Sequence, residues 1–218
     1  MDFNDSQQEA AFRKEARDFL EANAEKRSII SDKPNDKSPQ IAVAGAPETV
    51  KGGKEAAQEA LERAKVWQKK KAEAGFAAIL WPKEFGGYGG SPIQQVIYSQ
   101  EEHDYLVPSG YFEIGIGMLG PTMMVWGKDE DKKRYLPKMI TGEEIWCQLF
   151  SEPSAGSDLA GIKMKAEKDG DEWVLNGQKV WTSGAHFADY GMIVARSDPS
   201  TLKHKGLTYF YLDMKTPG

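Results

Sequence analysis

A loop of small polar residues has the composition best suited to holding a ligand. It occupies residues 151–158, with the sequence SEPSAGSD, and it follows the aromatic-rich residues 146–150, whose pattern predicts a strand. Backbone N–H groups and serine hydroxyls exposed on such a loop suit an anionic or carbonyl-rich ligand. An ordinary tight turn uses the same residue types. On the residues alone, an ordinary tight turn is the favoured interpretation.

Three glycines match the spacing of a dinucleotide-binding loop: Gly115, Gly117 and Gly120. That pattern binds a nucleotide only where it joins a strand to a helix within a βαβ unit. Here Pro121 directly follows the last glycine, and no such unit surrounds the motif. Close packing between helices explains these glycines better than a nucleotide does.

Two further residue sets imitate catalytic or metal sites. Ser183, His186 and Asp189 have the residue types of a hydrolase triad, but within one short turn they cannot align as nucleophile, base and orienting carboxylate. The histidines His103, His186 and His204 lack the paired spacing of metal ligands. We expect neither a triad nor a metal site.

Two smaller features have structural interpretations. Glu101, Glu102 and Asp104 lie close together on a predicted helix, where we interpret them as a solvated face. Cys147 is the only cysteine, so no intrachain disulfide can form, and we expect it to be a small apolar side chain in a buried strand.

Composition limits the kinds of partner. With 218 residues and 40% hydrophobic content the chain can bury a sizeable core, and its formal net charge of −5 argues against nucleic acid. No apolar run approaches the roughly 18 residues that cross a bilayer, and the first 20 residues lack a signal-peptide apolar region. We expect a cytoplasmic protein with no membrane or nucleic-acid partner.

Helix signals dominate residues 1–144. Ser6 with Glu9, and Ser91 with Gln94, have the spacing of capping boxes. Apolar spacing and stop signals predict helices over residues 6–23, 54–74, 91–105, 121–126 and 130–139. Residues 31–53 are rich in Pro, Lys, Gly and Ser without an aromatic residue, which predicts a mobile insert.

The pattern changes to strands after Glu144. Asn176 and Gly177 lie between residues 173–175 and 180–182, and this predicts a hairpin; residues 190–196 and 207–214 predict two more strands. The sequence therefore predicts an α+β protein. An all-helical domain, residues 1–144, would precede an incomplete, antiparallel, β-barrel-like domain, residues 145–218.

Several motifs resemble those of acyl-CoA dehydrogenases. Residues 151–158 followed by residues 161–163 (GIK), and then residues 175–183 (LNGQKVWTS), are similar to the middle β-domain of that family. The family's N-terminal helical domain is resembled by residues 81–87 (WPKEFGG), 115–121 and 134–137 (RYLP). The resemblance covers nearly the whole chain, with residues 31–53 as a variable insert.

This resemblance implies FAD as cofactor and an acyl-CoA thioester as substrate. Trp181 would pack on the isoalloxazine ring and Ser183 would reach its N5/O4 edge, where hydrogen-bond donors stabilise the reduced anion. The implied cofactor-binding residues are Gln148, Phe150, Ser151, Ser157, Trp181, Thr182 and Ser183. Ser157 would also contact the substrate.

The family reaction removes an α proton and a β hydride to give a trans-2-enoyl-CoA, and its base is a Glu of the C-terminal helical domain. The sequence stops at residue 218 within the β-domain, so we expect no catalytic residue here, an exposed sheet edge and an isolated chain that is inactive. Electron-transfer flavoprotein is the expected electron acceptor, and the expected assembly is a homo- or hetero-oligomer.

Two alternatives stay open. An acyl-CoA oxidase or a related flavin monooxygenase would share this architecture but pass electrons to oxygen, and the rate of flavin reoxidation would distinguish it. A non-catalytic subunit would instead dimerise with, or regulate, a full-length paralogue. Whether the chain holds FAD alone or only with a partner would identify that case.

Overall fold

The computed structural model describes residues 4–27 and 53–217. These residues belong to two compact units, Met1–Glu143 and Glu144–Gly218, and each is described by itself. The mobile insert predicted for residues 31–53 lies outside the described residues except for its last position, which begins a helix. No helix within the described ranges combines the length and apolar character that crossing a membrane requires.

The described part of the first unit is mainly helical. Its α-helices are α1 (Gln7–Asn23), α2 (Gly53–Glu73), α3 (Pro92–Glu102), α4 (Gly120–Trp126) and α5 (Asp129–Thr141). Two short strands, β1 (Glu25–Lys26) and β2 (Tyr105–Leu106), pair antiparallel. The prediction of a helical first part is confirmed.

Both predicted capping boxes are present. The Ser6 hydroxyl accepts from the Glu9 backbone N–H (3.3 Å), while the Glu9 carboxylate accepts from the Ser6 backbone N–H (2.7 Å). Ser91 and Gln94 make the same reciprocal bonds at the start of α3. The α3 helix ends at Glu102, short of its predicted end at Tyr105, because Tyr105 pairs with β1 instead.

An aromatic core joins α1 to its neighbours. Phe12, Ala16 and Leu20 are buried along the predicted stripe of α1, and they cluster with aromatic and aliphatic side chains including Trp67, Phe76, Ile97 and Tyr98. Asn23, which the same stripe included, is exposed. Its side-chain amide donates to the Phe19 carbonyl oxygen (2.9 Å). Asn23 therefore bonds to a backbone carbonyl in the last turn of α1 and does not pack in the core.

A π-helical turn, Gly115–Leu119, leads directly into α4. Trp81 packs against Gly120, where an added Cβ would lie 2.1 Å from the indole Cζ2, and the Trp81 Nε1–H donates to the Ile116 carbonyl oxygen (2.8 Å). Close packing is therefore confirmed for Gly120, but its partner Trp81 lies outside the helices. Gly117 differs, since nothing lies within 4 Å of a Cβ added there. The glycines sit inside a helix, which excludes the strand-to-helix loop of a nucleotide site.

The second unit contains one mixed sheet. Its strands are β3 (Trp146–Leu149), β4 (Lys165–Asp169), β5 (Glu172–Asn176), β6 (Tyr190–Arg196) and β7 (Leu207–Asp213). The β6 strand pairs antiparallel with β7 along its length and parallel with both β3 and β4, while β5 pairs antiparallel with β4. The α+β class is confirmed, but the sheet is only partly antiparallel because β3 and β6 run in the same direction.

The hairpin predicted at Asn176 and Gly177 is wrong. The β5 strand pairs back onto β4 through Asp169 and Glu172, so the tight turn is at Gly170, whose φ is +59°. Residues 180–182 form no strand. Gly177 has another function, because a Cβ there would lie 2.8 Å from the Cα of Met164. The glycine permits this close approach of two segments, and it does not make a turn.

Cys147 matches its prediction. It lies in β3 with 1% of its surface exposed, and burial raises the pKa of its thiol to about 11. Such a thiol stays protonated at neutral pH and packs as a small apolar side chain.

Candidate functional site

Trp181 combines two unusual properties. Its φ is +59°, a left-handed conformation that a bulky residue adopts at a cost of about 1–2 kcal/mol, and 91% of its surface is exposed. Neither core packing nor backbone preference accounts for this placement. A flat, exposed indole held in a strained conformation is a suitable surface for stacking an aromatic ring.

Polar residues follow Trp181 directly. Thr182 is half-buried and Ser183 is exposed, and they lead into a turn in which Gly184 has a φ of +75°. The N–H groups of Phe187 and Ala188 donate to the Gly184 carbonyl oxygen (3.2 Å and 3.1 Å), which fixes the C-terminal side of this segment. Two hydroxyl groups therefore adjoin the exposed indole.

The end of β3 lies beside the Trp181 segment. The Val180 N–H donates to the Ser151 carbonyl oxygen (2.9 Å). Because Val180 directly precedes Trp181, this bond places Ser151 beside the Trp181 segment. Phe150 is half-buried, with its ring centroid 5.6 Å from that of Tyr209. The structure thus brings together two predicted groups of site residues that are far apart in sequence.

Gln148 and Ser157 extend the predicted site in two directions. Gln148 is half-buried in β3, opposite Met192 of β6. Ser157 is exposed beyond a tight turn that Glu152 and Ala155 close with reciprocal backbone hydrogen bonds (2.7 Å and 3.1 Å). Ser157 is therefore a surface position on the loop that begins at Ser151.

A buried ion pair at the centre of these segments was missed by the sequence reasoning. The Lys179 Nζ donates to Glu152 Oε1 (2.9 Å) and to the Phe150 carbonyl oxygen (3.0 Å), and only 4% and 5% of the two side chains are exposed. The Glu152 carboxylate also accepts from the backbone N–H groups of Lys163 (2.6 Å) and Met164 (3.0 Å). The available signal was a charged residue between a buried strand and a run of small residues.

The environment keeps Glu152 ionised. Burial alone would raise the pKa of this carboxyl, but the Lys163 N–H, the Lys179 ammonium and the Met164 N–H together outweigh burial and hold its pKa below the usual range. At neutral pH the Lys179 ammonium therefore faces a carboxylate.

Asp189 and His186, which belong to the residue set that imitates a hydrolase triad, make structural contacts. Asp189 Oδ2 accepts from the Ile145 N–H (3.0 Å), which anchors the start of β3, and the His186 ring packs edge-on against Phe187 (4.7 Å). The described residues contain no group of three or more His, Cys, Asp or Glu that could hold a metal.

The acidic cluster is a correction to the sequence interpretation. Glu101 accepts hydrogen bonds from Arg13 (3.0 Å) and Arg17 (2.9 Å) of α1, with 11% of its side chain exposed. Glu102 accepts from the Tyr98 hydroxyl (3.1 Å). The solvated-face interpretation is therefore wrong for Glu101, because its carboxylate joins α3 to α1.

Comparison with known proteins gives matches to both units. Residues 47–143 match the family model for the acyl-CoA dehydrogenase N-terminal domain, and residues 147–218 match the model for the acyl-CoA dehydrogenase middle domain. The acyl-CoA dehydrogenase IpdE1 of Mycobacterium tuberculosis is 40% identical over 167 residues, which is 77% of this chain and 43% of that protein.

Two solved structures extend these matches. The Tcur3481-Tcur3483 steroid ACAD has a TM-score of 0.71 and 30% identity, covering 98% of this chain and 49% of that one. The ChsE4-ChsE5 complex from Mycobacterium tuberculosis has a TM-score of 0.68 and 29% identity, covering 99% and 49%. The chain spans less than half of the length of each of these three relatives.

Proposed function

The chain belongs to the acyl-CoA dehydrogenase family, and from this premise we propose that it contributes the flavin-facing segments of an enzyme that oxidises an acyl-CoA thioester to a trans-2-enoyl-CoA with FAD. The observation that carries the proposal is Trp181, an exposed indole held at a φ of +59° beside hydroxyl groups. Bulky residues in strained backbone conformations cluster at active sites and ligand-binding sites, which supports a ligand at this indole.

The residues around Trp181 fit a flat ring with polar edges. The indole offers a face for stacking, and the hydroxyls of Ser151, Thr182 and Ser183 are donors for the ring's oxygen and nitrogen atoms. Gln148, Phe150 and Ser157 complete the proposed cofactor contacts, with Ser157 also proposed to contact acyl-CoA. When bound, FAD supplies the acceptor for the β hydride.

The chain's own residues have a binding and orienting function in this proposal. Trp181 holds one face of the ring and excludes water from it, while the hydroxyl donors favour negative charge at the ring edge. Removal of the α proton requires a carboxylate base, and the proposal assigns that function to no residue of this chain. The chain alone is therefore expected to bind FAD without oxidising a substrate.

The proposal includes the partners expected from the sequence. These are acyl-CoA, electron-transfer flavoprotein as electron acceptor, and a homo- or hetero-oligomeric assembly in the cytoplasm. The heteromeric assembly is supported by the similarity to the ChsE4-ChsE5 complex, which joins two differently named chains.

A direct test is to purify the 218-residue chain, titrate it with FAD and record the visible absorption spectrum. We expect saturable binding with the shifted, structured flavin bands of a ring in a protein site. A spectrum identical to that of free FAD at every protein concentration would contradict the proposal.

The same sample separates the open alternatives. After chemical reduction of the bound flavin, slow reoxidation in air is expected for a dehydrogenase, whereas fast reoxidation would favour the oxidase or monooxygenase. Binding of FAD only after a full-length paralogue is added would favour the regulatory subunit.

A further inference from the structure

Glu152 and Lys179 form a buried ion pair within the second unit. With 5% and 4% of their side chains exposed, both charges have lost most of their hydration. Desolvation of this size often cancels the attraction between the two charges, so a buried ion pair is weak evidence for stability. Its function is better sought in the segments that it joins.

The pair connects three segments of the second unit. Lys179 reaches the Phe150 carbonyl oxygen (3.0 Å), and Glu152 accepts from the N–H groups of Lys163 (2.6 Å) and Met164 (3.0 Å). Lys179 also lies two residues before Trp181 in the chain, and Glu152 directly follows Ser151. The pair therefore holds in place the residues next to Ser151 and Trp181, which belong to the two segments that carry the proposed flavin contacts.

The strained conformation of Trp181 needs support on both sides. A left-handed φ at a bulky residue persists only when its surroundings determine it. On the C-terminal side the turn at Gly184 provides this support. On the N-terminal side the support consists of the Val180 bond to the Ser151 carbonyl oxygen (2.9 Å) and the Lys179 bonds to Phe150 and Glu152.

We propose that Glu152 and Lys179 are positioning residues, which fix the distance and angle between the Ser151 and Trp181 segments and thereby set the affinity for flavin. This inference rests on the proposed function. Neither side chain touches the ring in this arrangement, and each acts through the backbone of a neighbouring segment. Loss of the pair lets the two segments separate, so the ring loses simultaneous contact with indole and hydroxyls.

Arg196 provides a matched control within the same unit. Its guanidinium donates to the carbonyl oxygens of Ala160 (2.9 Å), Ile162 (3.3 Å) and Lys203 (3.0 Å). It thus joins segments to the sheet as Lys179 does, but its side chain bonds neither to Phe150 and Ser151 nor to the Trp181 segment. A variant at Arg196 measures what the loss of a comparable structural contact does alone.

The test compares Lys179→Met with Arg196→Met in the 218-residue chain, by FAD titration and by hydrogen exchange at the Val180 amide. We expect Lys179→Met to weaken FAD binding by about tenfold or more, equivalent to about 1.4 kcal/mol, and to speed Val180 exchange. Arg196→Met should change the dissociation constant by less than about twofold. Unchanged FAD affinity in a folded Lys179→Met variant would overturn the inference.

A double variant covers the case in which Lys179→Met does not fold. Replacing both members, Glu152→Leu with Lys179→Met, removes the charges together and commonly preserves stability. We expect this variant to fold and still to bind FAD weakly, because leucine and methionine cannot bond to the backbone groups of Phe150, Lys163 and Met164. Affinity equal to the unmodified chain would overturn the inference. If the unmodified chain itself shows no saturable binding, the proposed function fails first.

Discussion

At the scale of single residues, the second unit holds Trp181 in a conformation that lowers the stability of the unit. The indole is 91% exposed at a φ of +59°, and two ionised side chains are buried two residues before it and across the adjoining loop. Each of these features is unfavourable by itself. Their occurrence together at the residues that resemble a flavin site is the reason to assign them a common function.

Glu152→Gln should show how the pair depends on pH. At pH 7 this substitution leaves the Lys179 ammonium buried without a counter-charge, which should lower the stability of the second unit by about 3 kcal/mol. Because the folded pKa of Glu152 lies below its unfolded value of about 4.3, the carboxylate's contribution is complete above that pH and declines as pH falls through the folded pKa.

Hydrogen exchange at the β6 amides reports the stability of the second unit. The difference between the unmodified chain and Glu152→Gln should therefore be largest near pH 7 and shrink below about pH 4.3. A difference that stays constant from pH 7 to the acid limit would contradict the assigned ionisation of Glu152.

The residue types of the site could be read from the sequence, but its supports could not. The loop beginning at Ser151 and the segment around Trp181 carry motifs that resemble a family. Glu152 and Lys179 are 27 positions apart, and nothing in their local composition predicts that the fold buries them against each other. The cofactor contacts proposed for the Ser151 and Trp181 segments stay predictions, and so do the positioning roles proposed for Glu152 and Lys179.

At the scale of elements, the helices were predictable because their signals are local. Ser6 with Glu9 and Ser91 with Gln94 cap helices through bonds spanning three residues, and the sequence contains both partners of each bond. The sheet depends on partners distant in sequence. The predicted hairpin at Gly177 failed because a glycine can serve a close approach, here to Met164, as well as a turn.

The packing of the π-helical turn against Trp81 gives a paired prediction for two glycines. Gly120→Ala places a Cβ 2.1 Å from the Trp81 ring, which must then move, so we expect a loss of about 2 kcal/mol or more from overpacking. Gly117→Ala meets nothing within 4 Å and should be neutral or stabilising by up to about 1 kcal/mol.

Denaturant unfolding of the two variants checks this pair. The measured quantity is the unfolding free energy of the helical unit, followed by far-ultraviolet circular dichroism. Equal losses in both variants would mean that the specific contact between Gly120 and Trp81 is not the cause of the loss.

At the scale of the whole molecule, the two units match the two named domains of one family in the family's order. Within the helical unit, residues 47–143 match the N-terminal domain, and within the sheet unit, residues 147–218 match the middle domain. The chain spans 43% of IpdE1. Catalysis by an assembled enzyme is therefore a proposal, whereas flavin binding can be measured on this chain by itself.

Flavin binding at Trp181 can be tested by one titration. The 218-residue chain, a Trp181→Ala variant and a Trp126→Ala control are each titrated with FAD while flavin fluorescence is recorded. Trp126 is a suitable control because it is also exposed, at 84%, but lies in the helical unit.

We expect saturable quenching of flavin fluorescence by the unmodified chain and by Trp126→Ala, because a stacked indole donates an electron to the excited flavin. Trp181→Ala should lose the quenching and bind FAD about 5- to 150-fold more weakly, as expected for removing a stacked aromatic contact of about 1–3 kcal/mol. Equal quenching and affinity in Trp181→Ala would show that flavin does not bind at this indole, which would contradict the proposed flavin site.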